Sequence, residues 1–409
     1  ASAARGETTL DDIVASYRDH RGKLKSVLVE YDRTGRALVD RRMLYESLRV
    51  FDFPPATITA ALAGEKRYSR VASENRDMAA VIGVLQSENP ELLKGAEGDL
   101  SSRVPFDELE RILPKIAPTR AERILIFDGA VVRERSPHSL KTGGDASPVY
   151  IVRDATAKPI RSIFPETYFD HIGYAAAEPG DHERTKESLF NELPDVLLIA
   201  PFVLRPPENI DGTACVVVEA AGYQKLWLDV ARGFAVRKRQ AFVRGELSAE
   251  YEFDDFAEVA HGVWMPRKVR QYVLGTGRVP NQYRAKRLIE YTGTIKRLEA
   301  NSDAHQALFR LDPEPGAYVM DTTINPPDSQ NSAPSAAKVG EAMPVVTYIQ
   351  PADKSDLDKV VREARDEFRG SPVAPAPTRW RVVVGVGFLA FAVGVLLFYG
   401  MRGRRPEGQ

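Results

Sequence analysis

Histidine is the residue type in this sequence best suited to acid–base or metal chemistry, but its six copies are dispersed. They are His20, His138, His171, His182, His261 and His305. The sequence contains no HExxH pair, no GxSxG elbow and no phosphate-binding loop. Asp170-His171 and His182-Glu183 could join Asp181 or Glu187 in an acid–base or metal cluster, but adjacent residues in loops are usually solvated. We therefore predict no enzyme activity, no catalytic residues, no metal and no cofactor, while a triad built from distant residues stays open.

The single cysteine and the charge balance exclude other classes of function. Cys215 lies in the apolar run Ala214 to Val218, so we predict a buried small hydrophobic residue rather than a disulfide or a metal ligand. The 56 basic and 57 acidic residues give a net charge of −1. Such a balance creates no overall field for nucleic acid, so we predict no nucleic-acid partner.

The stretch from Cys215 to Tyr272 predicts a continuous antiparallel meander. Within it, Leu247, Ala249, Tyr251 and Phe253 alternate with Ser248, Glu250, Glu252 and Asp254, as in a half-buried strand. An Arg244-Gly245 turn would pair this strand with the preceding one. The resulting register predicts two apolar pairs, Phe242 with Leu247 and Val236 with Phe253, and two ionic pairs, Arg239 with Glu250 and Arg237 with Glu252. One face of the sheet is then apolar and the other is charged.

The elements before the meander predict helices and further strands. Thr8 or Thr9 can cap a helix with apolar residues near one face, namely Leu10, Ile13, Val14, Tyr17 and Leu24. Hairpins are predicted at Gly64-Glu65-Lys66 and at Asp128-Gly129, and a helical insertion is predicted over residues 88–117. We expect an α+β fold: a curved antiparallel sheet of about ten strands, with two or three helices on one side.

The composition changes near residue 321 and predicts a tethered architecture. We assign residues 8–321 to the folded domain, 322–354 to a flexible linker and 355–370 to a charged helix. A Pro/Ala-rich stalk follows over 371–381, then a transmembrane helix over 382–401 and a basic tail over 402–409. The domain would therefore stand away from a membrane on a stalk.

Residues 382–401 are uncharged and apolar over about the 20 residues that a helix needs to cross a bilayer. Trp380 and Tyr399 are placed as interfacial aromatics, and the arginines after the span outnumber those before it, which favours a cytoplasmic tail. The small residues at positions 1–4 resemble the edge of a signal-peptide cleavage site. We expect a single-pass protein of the bacterial inner membrane, with its signal peptide removed and its main domain in the periplasm.

Four motifs of the meander carry a resemblance to a known family. They are LWLD at 226–229, RGFAVRKR at 232–239, FDDF at 253–256 and GVWMP at 262–266. Together with the preceding helix, strands and helical interruption, they resemble the outer-membrane lipoprotein-sorting and carrier proteins, especially their large planctomycete-type relatives. The resemblance covers residues 8–321. It implies a strongly curved antiparallel sheet, an unclosed half-barrel, with lid helices over an apolar cavity for acyl chains.

The implied ligand site takes its residues from the motif strands. The partner would be the acyl chain of a lipid or lipoprotein, bound through burial of apolar surface. The candidate lining residues are Trp227, Phe234, Val236, Phe242, Tyr251, Phe253 and Trp264. For any single one of them ordinary core packing is the more common role, since aromatics at strand spacing are usually core. Asp229 with Arg232 is more typical of a turn that fixes strand register than of a ligand site.

Two other functions stay open for the same sequence. The fold could serve as an envelope-stress sensor or regulator with a protein partner in the envelope, although the tail after residue 401 is short. Alternatively, the chain could be a tail-anchored structural protein. The short tail weakens the sensor hypothesis because it leaves little to contact a cytoplasmic partner, and the tail-anchored hypothesis would require that no signal peptide exists upstream.

Overall fold

The computed structural model describes residues 8–50, 52–76, 78–93, 104–142, 145–154, 168–172, 192–199, 201–323 and 346–370. The chain divides into two compact units. Unit 1 comprises Ala1–Glu74 and Arg120–Pro313, and unit 2 comprises Asn75–Thr119 and Glu314–Gln409.

Fifteen strands and seven α-helices lie in the described residues. The strands are β1 Ser26–Ala37, β2 Ala56–Ala63, β3 Lys66–Asn75, β4 Thr119–Phe127, β5 Val131–Thr142, β6 Asp145–Asp154, β7 Val203–Ile210, β8 Thr213–Ala220, β9 Gln224–Asp229, β10 Ala235–Val243, β11 Glu246–Ala260, β12 Val263–Leu274, β13 Arg287–Ala300, β14 Tyr318–Asp321 and β15 Val346–Ile349. The helices are α1 Leu10–Lys23, α2 Arg41–Leu48, α3 Met78–Glu88, α4 Phe106–Ile112, α5 Tyr168–His171, α6 Leu193–Ile199 and α7 Leu357–Gly370.

The sheet of unit 1 has the order β6-β5-β4-β3-β2-β1-β13-β12-β11-β10-β9-β8-β7. Strands β8 to β12 pair in sequence and antiparallel, which confirms the predicted meander. Strand β1 joins strands β2 to β6 to strands β7 to β13, because it pairs with β2 on one side and with β13 on the other. Strands β6 and β7 stand at opposite ends of the order, so the sheet is not closed into a barrel.

The turns form where the sequence predicts them. Arg244 and Gly245 both have positive φ, at 55° and 78°, as a two-residue hairpin turn requires. Gly64 and Glu65 join β2 to β3, and the Asp128 carboxylate accepts hydrogen bonds from the Ala130 and Val131 amides before β5. These side-chain and backbone preferences fix the register of each hairpin locally.

Helix α1 is held at its start by a capping box. The Thr9 hydroxyl accepts from the Asp12 amide, and the Asp12 carboxylate accepts from the Thr9 amide. The buried side of the helix carries Ile13, Val14, Tyr17 and His20. The sequence predicted the three apolar members of this set but not the histidine.

One face of the sheet, here called the inner face, carries the main apolar core of unit 1. Val29, Leu226, Val236, Tyr251 and Phe253 are among its buried strand residues. Side chains of α1, α5 and α6 belong to the same core. The opposite, outer face of β9 to β13 carries the ion pairs, such as Lys238 with Glu250 at 2.8 Å.

The register of β10 and β11 differs from the predicted one because of a β-bulge. Phe242 pairs with Leu247 as predicted, but a register shift between Ala241 and Phe242 leaves Ser248 as an extra residue. The Ser248 hydroxyl donates to the Ala241 carbonyl at 3.0 Å.

The bulge changes the partners of the two arginines. Arg239 pairs with Tyr251 rather than with Glu250, and Lys238 replaces Arg237 opposite Glu252. A shift of one residue moves side chains to the other face. The two predicted ionic pairs were therefore wrong, and Arg239 lies on the inner face.

Unit 2 contains the predicted helical insertion and the charged helix. Phe106, Leu109, Ile112 and Leu113 are buried, as their helical spacing predicts. The insertion begins before residue 88, with α3. Helix α7 coincides closely with the predicted charged helix.

The segment predicted as a linker contains a strand. β15 pairs antiparallel with β14, and Val319 lies opposite Tyr348. Burial, and secondarily the charge of Asp321, raise the pKa of Tyr348 to about 12. Residues 346–349 are thus ordered by a partner strand that local composition does not reveal.

No helix among the described residues is long and apolar enough to cross a membrane. The predicted stalk over residues 371–381, the predicted span over 382–401 and the predicted tail over 402–409 lie outside the described residues. The limits assigned from the sequence to the folded domain, linker, stalk and tail stay predictions.

Gly233 ends the short turn after β9 and allows α1 to approach the sheet. Its φ is +61°, and a Cβ there would lie 2.6 Å from the His20 ring and 3.4 Å from the Gly262 carbonyl. His20 is buried, so its ring has little freedom to move away. Gly64 has a similar φ of +59° but open space around it.

We predict that Gly233→Ala costs about 2–4 kcal/mol of unfolding free energy, because a left-handed residue with a Cβ is strained and the core is overpacked. Gly64→Ala should cost only about 1–2 kcal/mol, since it carries the backbone strain alone. Urea unfolding followed by tryptophan fluorescence measures both. Equal losses of unfolding free energy in the two variants would show that the His20 ring moves aside without an energetic cost.

Candidate functional site

Four of the seven residues predicted to line a ligand site meet on the inner face. Val236, Tyr251 and Phe253 are buried in the main core, and Phe234 packs against it. The rings of Tyr251 and Phe253 are nearly parallel, at 8° and 6.5 Å between centroids. These four side chains form a continuous apolar patch under the helices.

Trp227 lies on the outer face, where it packs with Cys215 and Val217. Its indole nitrogen donates to Glu208 at 2.8 Å, and the Lys225 ammonium lies 4.5 Å from its ring centroid. A tryptophan held between a carboxylate and an ammonium group is a structural part of the charged face.

The other two predicted residues are not part of the main core. Trp264 pairs with Glu258, on the side opposite to the buried Val263 and Met265, and the Arg232 guanidinium lies 5.6 Å from its ring centroid. Phe242 is half-buried beside the hairpin turn, and its amide donates to the Tyr223 carbonyl. Strand alternation places Trp227 on the outer face, whereas the half-buried Trp264 lines a small cavity together with Val236.

A few polar contacts attach the covering helices to the sheet. The Tyr17 hydroxyl donates to the Phe234 carbonyl at 3.1 Å, and the Tyr168 hydroxyl donates to the Pro266 carbonyl at 2.6 Å. Arg21 of α1 forms an ion pair of 2.7 Å with Glu192, directly before α6. Leu193, Val196 and Leu197 of α6 add apolar contacts in the core.

A small cavity remains between α1 and the sheet. Its volume is about 10 Å³, which is room for about one water molecule. It is lined by Tyr17, His20, Ile172, Ala235, Val236, Trp264 and Pro266. Side chains of the protein therefore fill nearly all of the space between α1 and this part of the inner face.

His20 is the titratable group at this cavity. It is 6% exposed and lies between Ser16 and the Gly233 turn. Burial lowers the pKa of His20, the charge of Lys23 lowers it further, and Asp19 opposes both. The neutral imidazole is therefore the form that the folded protein favours.

Polar side chains also occur on the inner face, at the end of the meander away from α1. Arg239 pairs with Tyr251 across β10 and β11, and its guanidinium lies 5.6 Å from the Tyr251 ring centroid. The Gln271 amide donates to the Tyr251 hydroxyl at 3.3 Å. Gln224 is 1% exposed, and neither atom of its amide has a hydrogen-bond partner among the described residues.

The charged outer face is internally compensated. Asp229 is fully buried and accepts from Arg232, from Arg237 and from the Ala231 amide. This arrangement agrees with its predicted role in a turn. Burial opposes ionisation of Glu250, but hydrogen bonds from Lys238, Gln240 and Arg287 lower its pKa.

Ser26, His305 and Glu299 come together in a manner that the sequence did not reveal. His305 Nδ1 lies 2.9 Å from the Ser26 hydroxyl, and its Nε2 lies 3.6 Å from Glu299. Ser26 and His305 are both buried, and the hydroxyl donates to the Ser302 carbonyl. A nucleophile needs access to substrate, so this group instead fastens the short helix Asp303–Phe309 to β1.

The remaining reactive groups offer little chemistry. Burial, and then the charge of Asp229, raise the pKa of Cys215 to about 11, which disfavours the thiolate. No group of three or more potential metal ligands occurs among the described residues. Asp181, His182, Glu183 and Glu187 lie outside them. The absence of enzyme activity stays a prediction.

No protein-family model and no curated protein matches the chain. Among solved structures, it is similar to an outer membrane lipoprotein-sorting protein domain from Vibrio parahaemolyticus, with 9% identity, coverage of 74% of this chain and 100% of that chain, and a TM-score of 0.34. It is also similar to a DUF1329 family protein from Desulfovibrio piger, with 12% identity, 74% and 95% coverage, and a TM-score of 0.36. At these low scores, membership of the lipoprotein-sorting family stays a prediction.

We predict that unit 1 loses stability as the pH falls from about 7 to 5, because the depressed pKa of His20 means that the unfolded chain binds the proton more readily. His20→Gln should flatten this part of the pH profile, whereas His261→Gln, at an exposed position, should leave it unchanged. Urea unfolding at several pH values measures the effect. An unchanged slope in His20→Gln would exclude His20 as the titrating group.

Proposed function

We propose that unit 1 binds the acyl chain of a lipid or lipoprotein on the inner face of a curved, half-barrel sheet. The supporting observation is the apolar patch of Phe234, Val236, Tyr251 and Phe253 under a cover of short helices. An open sheet with such a face can exchange its helical cover for a ligand without breaking strand pairing. The charged outer face would stay in water.

The exchange is energetically feasible if α6 acts as the lid. Leu193, Val196 and Leu197 contribute about 1.5–3 kcal/mol each by burial, or about 5–9 kcal/mol together. The roughly 14 methylenes of a hexadecanoyl chain contribute about 11 kcal/mol at about 0.8 kcal/mol each. The ligand can therefore replace the helix, and the nearly filled interior is the closed state of the site.

We further propose that residues 382–401 anchor the chain in the bacterial inner membrane, with the main domain in the periplasm. Their uncharged apolar sequence supports a spanning helix, and the arginines that follow support a cytoplasmic tail. The protein would then hold its ligand at one membrane and pass it to an envelope partner, instead of diffusing between membranes.

Photo-crosslinking tests the binding face. A hexadecanoate carrying a diazirine should label peptides of β10 and β11 in the full chain, in addition to residues 382–401. Phe253→Asp places a charge on the inner face and should lower labelling on the order of 5-fold. Trp227→Asp is the matched control, since Trp227 is equally buried but on the outer face.

Circular dichroism and urea unfolding must show that both variants stay folded, because each substitution buries a carboxylate. Equal loss of labelling in the two folded variants would contradict binding on the inner face. Labelling confined to residues 382–401 in the unsubstituted chain would contradict the acyl-binding proposal without any variant.

The membrane anchor is tested separately. The full chain should stay in the membrane fraction after carbonate extraction, and deletion of residues 382–401 should release it, because no apolar span then remains to hold the chain in lipid. Added protease should digest a C-terminal tag in inverted membrane vesicles but not in spheroplasts. Release of the full chain by carbonate would contradict a spanning helix.

A further inference from the structure

We propose that Arg33 and Tyr291 bind the anionic head group of an amphiphile whose chain lies along the inner face. This inference rests on the proposed acyl binding and adds the class of ligand, which is an apolar chain ending in a carboxylate or a phosphate. Arg33 lies on β1 and Tyr291 lies on the neighbouring strand β13, both within unit 1.

The strand register places Arg33 on the inner face. Arg33 follows Tyr31 by two residues on β1, and it pairs with Ala56 on β2 and with Gly293 on β13. Tyr31 and Ala56 both belong to the main apolar core. A half-buried guanidinium group therefore lies directly beside that core.

Arg33 has no acidic partner in the described part of the chain. It forms no ion pair or hydrogen bond there, and its guanidinium carbon lies 5.5 Å from the Tyr291 ring centroid. Asp32 and Glu290, the acidic residues next to it on β1 and β13, lie on the outer face and bind Lys296 and Arg36. A contact with an aromatic ring leaves the guanidinium N–H groups available to an anion.

Two glycines allow the arginine and the tyrosine to meet. Gly35 lies directly opposite Tyr291, and a Cβ at Gly35 would lie 2.8 Å from the Tyr291 ring. Gly293, opposite Arg33, likewise has no side chain. The ring therefore crosses β1 and reaches Arg33 as a diagonal cross-strand neighbour, and Phe53 supports it edge-on at 6.2 Å between centroids.

The Tyr291 hydroxyl supplies a second donor. It forms no hydrogen bond with any other described residue. Burial raises the pKa of Tyr291 and the charge of Arg33 opposes this rise, so the phenol stays protonated near neutral pH. A guanidinium group beside a phenol hydroxyl suits the oxygens of a carboxylate or a phosphate.

The two donors are continuous with the apolar patch. From Arg33, the directly opposed residues on the next three strands are Gly293, Val269 and Phe253. Val269 and Phe253 belong to the main core. Three strand spacings of about 4.8 Å separate Arg33 from Phe253 by about 14 Å. A chain with its head group at Arg33 would therefore cross β13 and β12 and reach the patch in the open state.

Photo-crosslinking of the full chain in nanodiscs tests the inference. The probes are hexadecanoate, hexadecyl phosphate and hexadecanol, each with a diazirine at the same position near the end of the chain. Labelling of peptides of β10 and β11 is measured for each probe. The ratio of labelling by a charged probe to labelling by hexadecanol is compared between variants, because partition into the nanodisc is the same for all of them. The two charged probes distinguish a carboxylate from a phosphate head group.

Arg33→Met should lower this ratio on the order of 10-fold and Tyr291→Phe on the order of 3-fold, while hexadecanol labels as before. Arg270→Met is the matched control and should leave the ratio unchanged, because it removes an arginine from the outer face and Glu252 keeps Arg287 as a partner. If Arg33→Met fails to fold, Tyr291→Phe decides the question, since it removes one hydroxyl group and keeps the ring.

The outcomes separate the two proposals. An unchanged ratio in both folded inner-face variants would overturn the head-group site and leave acyl binding intact. An equal loss of labelling with all three probes would make Arg33 a structural residue and would also overturn the site. No labelling of β10 and β11 by any probe would overturn both proposals.

Acetate and inorganic phosphate serve as competitors that lack the chain. We expect each to displace the charged probes only weakly. Complete displacement by either small anion at the concentration of the probe would assign the site to a free anion and overturn the amphiphile.

Discussion

An open antiparallel sheet with one apolar face requires a cover in water, and this requirement governs unit 1. The capped helix α1 and the short helices α5 and α6 supply the cover through Ile13, Tyr168 and Val196. Because the burial of apolar surface is not directional, the same face can accept any apolar body of suitable shape. The constraint that stabilises the fold therefore also creates the candidate site.

The outer face stays charged for a complementary reason. Its carboxylates are bonded to several cations at once, as Asp229 is to Arg232 and Arg237. A buried charge that lost these partners would be strongly destabilising, which fixes the register of β9 and β10. The two faces of the sheet therefore have different roles. Ion pairs on the outer face specify strand alignment, and apolar contacts on the inner face hold the helices.

Local patterns predicted the meander, the capped helix and the three hairpin turns, because each depends on residues close in sequence. They did not predict β15, whose partner is distant in sequence, or the bulge at Ser248, which alternation alone does not indicate. The patch was predicted in part: Val236, Tyr251 and Phe253 share a face, whereas Trp227 lies on the opposite one. The sequence also did not show that the buried Gln224 amide lacks a hydrogen-bond partner among the described residues, because this depends on three-dimensional packing.

In the proposed binding mode, competition between cover and ligand would link stability to affinity. A lid that packs more tightly lowers the population of the open site and weakens apparent binding by the same factor. The ion pair between Arg21 and Glu192 and the hydrogen bond from Tyr168 to Pro266 hold the cover on the sheet without adding apolar contacts. Polar contacts of this kind would therefore set the closing equilibrium, and the apolar patch would supply the burial with which a ligand competes for the site.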